Sequence, residues 1–247
     1  MKLIDANCMI GRRNSCREGS PVTMEDYIEI MDRCGIEKAV AFHSAALEYD
    51  PKTGNEKMKS EPFPERFMPQ WVVIPNVFDR FYPANEMISE MKENGVTSVR
   101  LMPGVYRHSL RRYAIGDMMD AFAECKVPVF IDKPQLEWAQ VYDFCKEYPN
   151  VNLVLCSCHY ALTTMELWPI MKECPNLYVE TSTFVMHNGI AKFSREFGAE
   201  RFLFGSGMPT VSATASASMI FYASVSQEEK ELIGHGNITR LLGEVSL

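Results

Sequence analysis

The sequence contains no run of about 18 uninterrupted apolar residues, so no ordinary membrane-spanning helix is expected. It contains neither Gly-x-Gly-x-x-Gly nor Gly-x-x-x-x-Gly-Lys-Ser/Thr, which removes the common dinucleotide and phosphate-loop readings. No Cys-x-x-Cys pair occurs among its eight cysteines, and the nearest approach is Cys156-Ser157-Cys158. A surplus of positive charge is also missing. Lys and Arg total 25 against 32 Asp and Glu, a net charge of −7, which speaks against non-specific nucleic-acid binding. The opening MKLIDANCMIG carries one Lys, and Asp5 and Asn7 interrupt its apolar run, so no export signal is expected. A cytoplasmic chain with reduced, mostly buried thiols follows as the expectation. No Gly-x-Ser-x-Gly elbow and no Ser-His-Asp order is present.

What is present is alternation. Eight short apolar runs read as strands: Leu3-Ile4, Ala39 to Phe42, Trp71 to Ile74, Ser98 to Leu101, Val127 to Ile131, Leu153 to Cys156, Leu177 to Val179 and Phe202 to Phe204. Their starts lie 24 to 36 residues apart, room for one helix and two loops each. Helical signals fill the gaps. Thr23 to Asp26 and Ser226 to Glu229 are capping-box patterns, and Gly35 and Gly95 follow periodic runs as stop signals. Eight strand–helix units in 247 residues make one α/β domain, residues 1–247, with the dimensions of a (β/α)8 TIM barrel. The long gap from Ser44 to Pro69 follows the second strand, where barrels carry lids and substrate loops.

Several segments in this order resemble the amidohydrolase-related family. They are Ile4-Asp5, Arg66-Phe67, Gly95-Val96 with Val99-Arg100-Leu101, Leu153-Val154-Leu155, Arg201 to Ser206 with Pro209, and Gly236 to Gly243. The resemblance spans nearly the whole chain and implies a TIM barrel of the metal-dependent hydrolase and decarboxylase type. The family's metal positions are changed throughout. Asn7-Cys8-Met9 stands where a His-x-His pair is usual, Asp132 and Ser157 stand at the histidines of the fifth and sixth strands, and Gly207 replaces the eighth-strand aspartate. An amide, a thioether, one carboxylate and a serine make a poor divalent site. The expectation is therefore no metal and no cofactor. Lactone hydrolases of this superfamily that need no metal make such an enzyme admissible.

Strand C-terminal ends define the barrel mouth, and the candidates follow from there. Asp132 is the expected general acid or base; alternatively it is an ion-pair partner of Arg100 or Lys133 that only holds the barrel together. His159 and Glu180 complete the catalytic candidates, Glu180 sharing a face with Ser182. Arg100, with Arg107 in the following acid-free basic loop, is the expected clamp for a small anionic molecule. Asn7, His43, Lys133 and Ser157 complete the expected binding set. Cys156 and Cys158 are expected on one strand face. Met9, Met102 and Met208 fall at strand ends, as pocket wall or plain core filling. Three function classes stay open. They are a metal-independent, lactonase-like hydrolase or decarboxylase-like enzyme for a small carboxylated substrate, a degenerate barrel that binds a small anion, and a structural subunit. A homo-oligomer is compatible with each, and neither nucleic acid nor membrane is an expected partner.

Overall fold

A computed structural model describes residues 1–158 and 164–247. The strands are β1 (Leu3–Ile10), β2 (Ile36–His43), β3 (Phe67–Pro69), β4 (Trp71–Val73), β5 (Val99–Leu101), β6 (Val129–Asp132), β7 (Leu153–Cys156), β8 (Leu177–Glu180) and β9 (Phe202–Leu203). Between them run α1 (Met24–Cys34), α2 (Ala45–Glu48), α3 (Pro51–Ser60), α4 (Ala84–Glu93), α5 (Pro103–Tyr106), α6 (Arg112–Glu124), α7 (Trp138–Glu147), α8 (Thr164–Glu173) and α9 (Gly189–Phe197). The chain ends with α10 (Ala213–Phe221), α11 (Gln227–Glu231) and α12 (Asn237–Gly243). Every strand pairing is parallel, in the order β1-β2-β3 and β4 through β9. The amides of Ala6 and Met9 donate to the carbonyls of Phe204 and Met208, and the Gly207 amide donates back to the Asn7 carbonyl. These bonds join the last strand to the first, and the fold is a TIM barrel.

All eight expected strands form. The first runs to Ile10 rather than stopping at Ile4. Asp5 and Asn7 read as strand breakers in the sequence, but both are buried and bonded within the barrel. The expected third strand, Trp71 to Ile74, forms as β4, and an additional strand not read from the sequence, β3, precedes it across Gln70, whose amide bonds the Ala41 carbonyl. Both capping boxes form, at Thr23 and at Ser226, and Gly35 closes α1 with φ +70°.

Period-two alternation sorts the strand side chains into two layers. Val99, Leu101, Val129, Ile131, Leu153 and Leu155 face outward into the main core beneath the helices. Val40, Phe130, Val154, Cys156, Tyr178 and Leu203 fill the barrel interior, where Ile238 and Leu241 of α12 join them. Above this interior layer Met9, Phe42, Val72 and Met102 form a third apolar group at the mouth. The same alternation that buries Phe130 and Tyr178 inward carries Asp132 and Glu180, two residues on, to the inward side at the mouth.

Cys156 and Cys158 do not share a face, contrary to the expectation. Ser157 adopts φ +57° and turns the chain, so Cys156 lies in the interior and Cys158 in the outer core.

The Ser44 to Pro69 segment is fastened to the barrel. Asn55 of α3 donates from Nδ2 to the Val72 carbonyl at 2.8 Å and accepts the Val72 amide at 3.0 Å. It thereby completes backbone bonding of β4 in the way a neighbouring strand would. Gly54 lets α3 pack closely on α2, since a Cβ there would stand 2.3 Å from that of Ala46. Asn55→Ala should leave two buried backbone groups unpaired and cost about 2–4 kcal/mol. Urea unfolding checks this; a loss below about 1 kcal/mol would show that Asn55 does not hold the segment.

Candidate active site

A cavity of about 300 Å³ opens at the C-terminal ends of the strands. Met9, Phe42, Leu47, Met102, Met208 and Val211 supply apolar wall, and the polar lining includes Asn7, Arg100, Asp132 and Ser157, with Arg13, Gln135, Thr183 and Thr210 around them. All three methionines at strand ends therefore line it.

Arg100 is the centre of the polar group. It is 1 % exposed. Its Nε donates to Gln70 Oε1 at 2.8 Å, Nη1 to Asp132 Oδ2 at 2.7 Å, and Nη2 to Asn7 Oδ1 at 2.8 Å. A longer contact of 3.8 Å runs from Nη2 to Cys156 Sγ. The rings of Phe42 and Phe130 lie 4.7 and 5.9 Å from the guanidinium carbon. Burial presses Arg100 toward the neutral form, but the Asp132 carboxylate outweighs it, so the guanidinium is held above its ordinary pKa and stays charged. Of its five N–H donors only one, on Nη1, is left uncommitted. The expectation of a free anion clamp is corrected accordingly: most of the fork is spent on the protein itself.

Asp132, with its side chain 24 % exposed, is the carboxylate that the cavity reaches. Its Oδ1 accepts the Ser157 hydroxyl at 2.8 Å. The left-handed backbone of Ser157 thus serves the site, aiming the hydroxyl at Asp132 while its amide reaches Glu180 Oε2 at 3.3 Å.

Glu180 is fully buried and is not part of the cavity lining. It accepts from Asn7 Nδ2 at 2.8 Å, from the Ser182 hydroxyl at 2.9 Å and from the Ser182 amide. Burial raises its pKa to about 7, against the opposing pull of these hydrogen bonds. It acts on the site through Asn7 and Ser157, as a positioning group. Gly205 makes room for it, since a Cβ there would lie 2.2 Å from Glu180 Oε1. Asp5, also buried and raised by burial, ties the Asn7 amide to the Ser206 amide and hydroxyl.

The remaining expected residues are placed apart from the cavity. His43 accepts the Ala45 amide through Nδ1, and burial lowers its pKa in spite of Glu61 nearby. Lys133 turns away from Asp132, donates to the Leu136 carbonyl at 2.7 Å and lies 4.5 Å from the Trp138 ring centroid. The ion-pair partner of Asp132 is Arg100 alone among the described residues. Arg107 is exposed in the loop after α5. His159 lies outside the described residues. Sequence reasoning did not single out Arg13 or Gln70. The polar Gln70 between Pro69 and the apolar run Trp71 to Ile74 was the available signal, because a glutamine inside a barrel strand needs a partner.

The residues present do not fit a divalent metal. Asn7 is committed through both amide atoms, Gly207 offers no side chain, and a guanidinium already sits 2.7 Å from the one exposed carboxylate. Among the described residues no group of three His, Cys, Asp or Glu is placed to hold an ion.

A family model described as Amidohydrolase matches residues 21–243. No curated protein matches the chain in sequence. Solved structures match over nearly its full length. An uncharacterized TIM-barrel protein from Bordetella bronchiseptica is 17% identical, with 99% of each chain covered and a TM-score of 0.75. The 2,6-dihydroxybenzoate decarboxylase from Rhizobium is 16% identical, with 98% of each chain covered and a TM-score of 0.74. The dihydroxybenzoic acid decarboxylase from Polaromonas sp. JS666, with bound manganese and the inhibitor 2-nitroresorcinol, is 14% identical. There 98% of this chain and 97% of that one are covered, with a TM-score of 0.76. At these identities the likeness speaks for the fold. Among the described residues no helix is long and apolar enough to cross a membrane.

Glu180 gives the site a pH signature. Its folded pKa, about 7, lies above the ordinary glutamate value of 4.5. Its contribution to stability is thus complete below the unfolded pKa and is lost as pH rises through about 7. Relative to Glu180→Gln, the wild-type protein should lose roughly 3 kcal/mol between pH 4.5 and 8. Urea midpoints across that range measure the difference; parallel curves for the two proteins would refute a Glu180 held protonated by burial.

Proposed function

The chain belongs to the amidohydrolase family, and from that premise we propose that it is a metal-independent hydrolase of a small carboxylated ester or lactone. The observation that supports this most is Asp132, the one carboxylate in the cavity lining among the described residues, oriented through both oxygens. Such a carboxylate, fixed by Arg100 and Ser157 but retaining free lone pairs, is equipped as a general base.

In this reading Asp132 removes a proton from water as the water oxygen bonds to the ester carbonyl carbon. The uncommitted N–H of Arg100 favours the negative charge that develops on the carbonyl oxygen. Collapse breaks the carbon–oxygen bond of the ester, and the proton held by Asp132 passes to the leaving alkoxide. The apolar walls exclude bulk water and strengthen these interactions. The cavity volume of about 300 Å³ suits a small substrate.

The degenerate-barrel reading keeps one specific support, the near-complete engagement of Arg100 with protein groups. A decarboxylase-like reaction has the names of two structural neighbours behind it. Among the described residues Asp132 is the one carboxyl group in the cavity lining, because Glu180 lies behind the wall, so a decarboxylase-like reaction would also turn on Asp132.

A panel of small carboxylated lactones and esters, followed by proton release with and without chelator, tests the proposal. Turnover should persist in chelator, and Asp132→Asn should lower kcat by about 100-fold or more. Because Asp132 is also the counter-ion of buried Arg100, the variant should lose about 1–3 kcal/mol of stability whichever reading holds, so turnover decides. Undiminished turnover in Asp132→Asn would end the general-base role. One equivalent of tightly held metal, lost together with activity, would end metal independence. Ligands that raise Tm without any turnover would favour the binding reading.

A further inference from the structure

Beside the central cavity lies a second one of about 150 Å³, built by the loop after β1. Arg13 and Thr210 belong to the lining of both. The remaining polar lining of the second cavity is Ser15, Cys16, Arg17 and Ser20. No acidic side chain takes part in it. Two arginines and three hydroxyl-bearing residues therefore line a partly open space equal to several water molecules at about 30 Å³ each. In a chain of net charge −7 this is a local inversion of sign.

The charges are only partly compensated. Arg13 is bound through Nε to Glu48 Oε1 at 3.1 Å, while Asn14 Nδ2 takes the other oxygen of Glu48 at 2.7 Å. That contact fixes the loop on α2 and engages only the Nε of Arg13. Arg17 makes no ion pair among the described residues. Glu18 borders the next hollow outward, together with Arg33 and Arg17.

We propose that this cavity is an oxyanion site for a phosphate monoester group, adjacent to the central cavity, with which it shares Arg13 and Thr210 in its lining. A phosphate at neutral pH carries close to two negative charges and three acceptor oxygens. Two guanidinium forks and several hydroxyls match that inventory better than they match a single carboxylate. The site would hold the phosphorylated tail of a molecule whose reacting end lies against Asp132. That role as a substrate subsite rests on the hydrolase reading; capture of the anion does not.

The test uses the full chain and inorganic phosphate as probe, by titration calorimetry at low ionic strength and pH 7.5. Saturable binding is expected, weakened tenfold or more by Arg17→Met and unchanged by Asp132→Asn. Arg17 is exposed, so its replacement should leave folding intact. Absence of saturable binding, or equal binding by Arg17→Met, would overturn the site. Succinate binding more tightly than phosphate under the same conditions would overturn the phosphate assignment. Among esters that are turned over, a phosphate tail should lower KM at least tenfold, and Arg17→Met should remove that advantage with kcat unchanged. Equal KM with and without the tail would overturn the subsite role, whereas loss of turnover alone in Asp132→Asn would leave it standing.

Discussion

The buried guanidinium of Arg100 is the charge around which the barrel mouth is organised. An arginine at 1 % exposure is tolerable only when its donors are met and its charge is countered. Asn7 of β1, Asp132 of β6 and Gln70, at the junction of β3 and β4, meet that demand. Each of these partners is then constrained in turn. Asn7 must present its oxygen to Arg100, which leaves its amide nitrogen for Glu180, and Glu180 draws in Ser157 and Ser182. A single cation thus fixes the rotamers of a network that reaches from β1 to the segment after β8.

Such a network is costly to bury and gains its value from geometry. Replacing a well-satisfied buried ion pair with apolar residues is often neutral or stabilising in proteins. The arrangement here gives Asp132 a single orientation toward the cavity, which an apolar mouth would not supply. Because a positive charge already lies among Asn7, Asp132 and Cys156, a divalent ion would meet repulsion and occupied donors at the same place.

The apolar surroundings matter as much as the charges. Phe42 and Phe130 flank the guanidinium, and the methionines at three strand ends close the wall. The helical segment between β2 and β3 contributes Leu47 to that wall, and Asn55 holds the segment against β4. Tyr106 adds a second tie, its hydroxyl donating to the Ala46 carbonyl. A segment that reads as a solvated lid, rich in Glu, Lys and Pro, is therefore bonded into the barrel wall.

Periodicity in the sequence was enough to determine the barrel. Short continuous apolar runs, separated by capped amphipathic helices, leave few other ways to bury so many strand faces. The same strand reading placed Asp132, Glu180 and Arg100 at strand ends, with Arg100 read as a clamp for a small anion. Which partner it takes was decided only by the tertiary structure. Residues 7, 70, 100 and 132 are distant in sequence, and barrel closure alone brings their side chains within hydrogen-bonding distance. Local pattern was also misleading where a buried polar group resembles a strand breaker, as at Asp5 and Asn7, and where one left-handed residue, Ser157, reverses the alternation that follows it. Sequence spacing encodes which face a side chain occupies. It does not encode which groups the opposite side of the barrel will offer there, and at this mouth those groups set the charge, the donors left free and the chemistry.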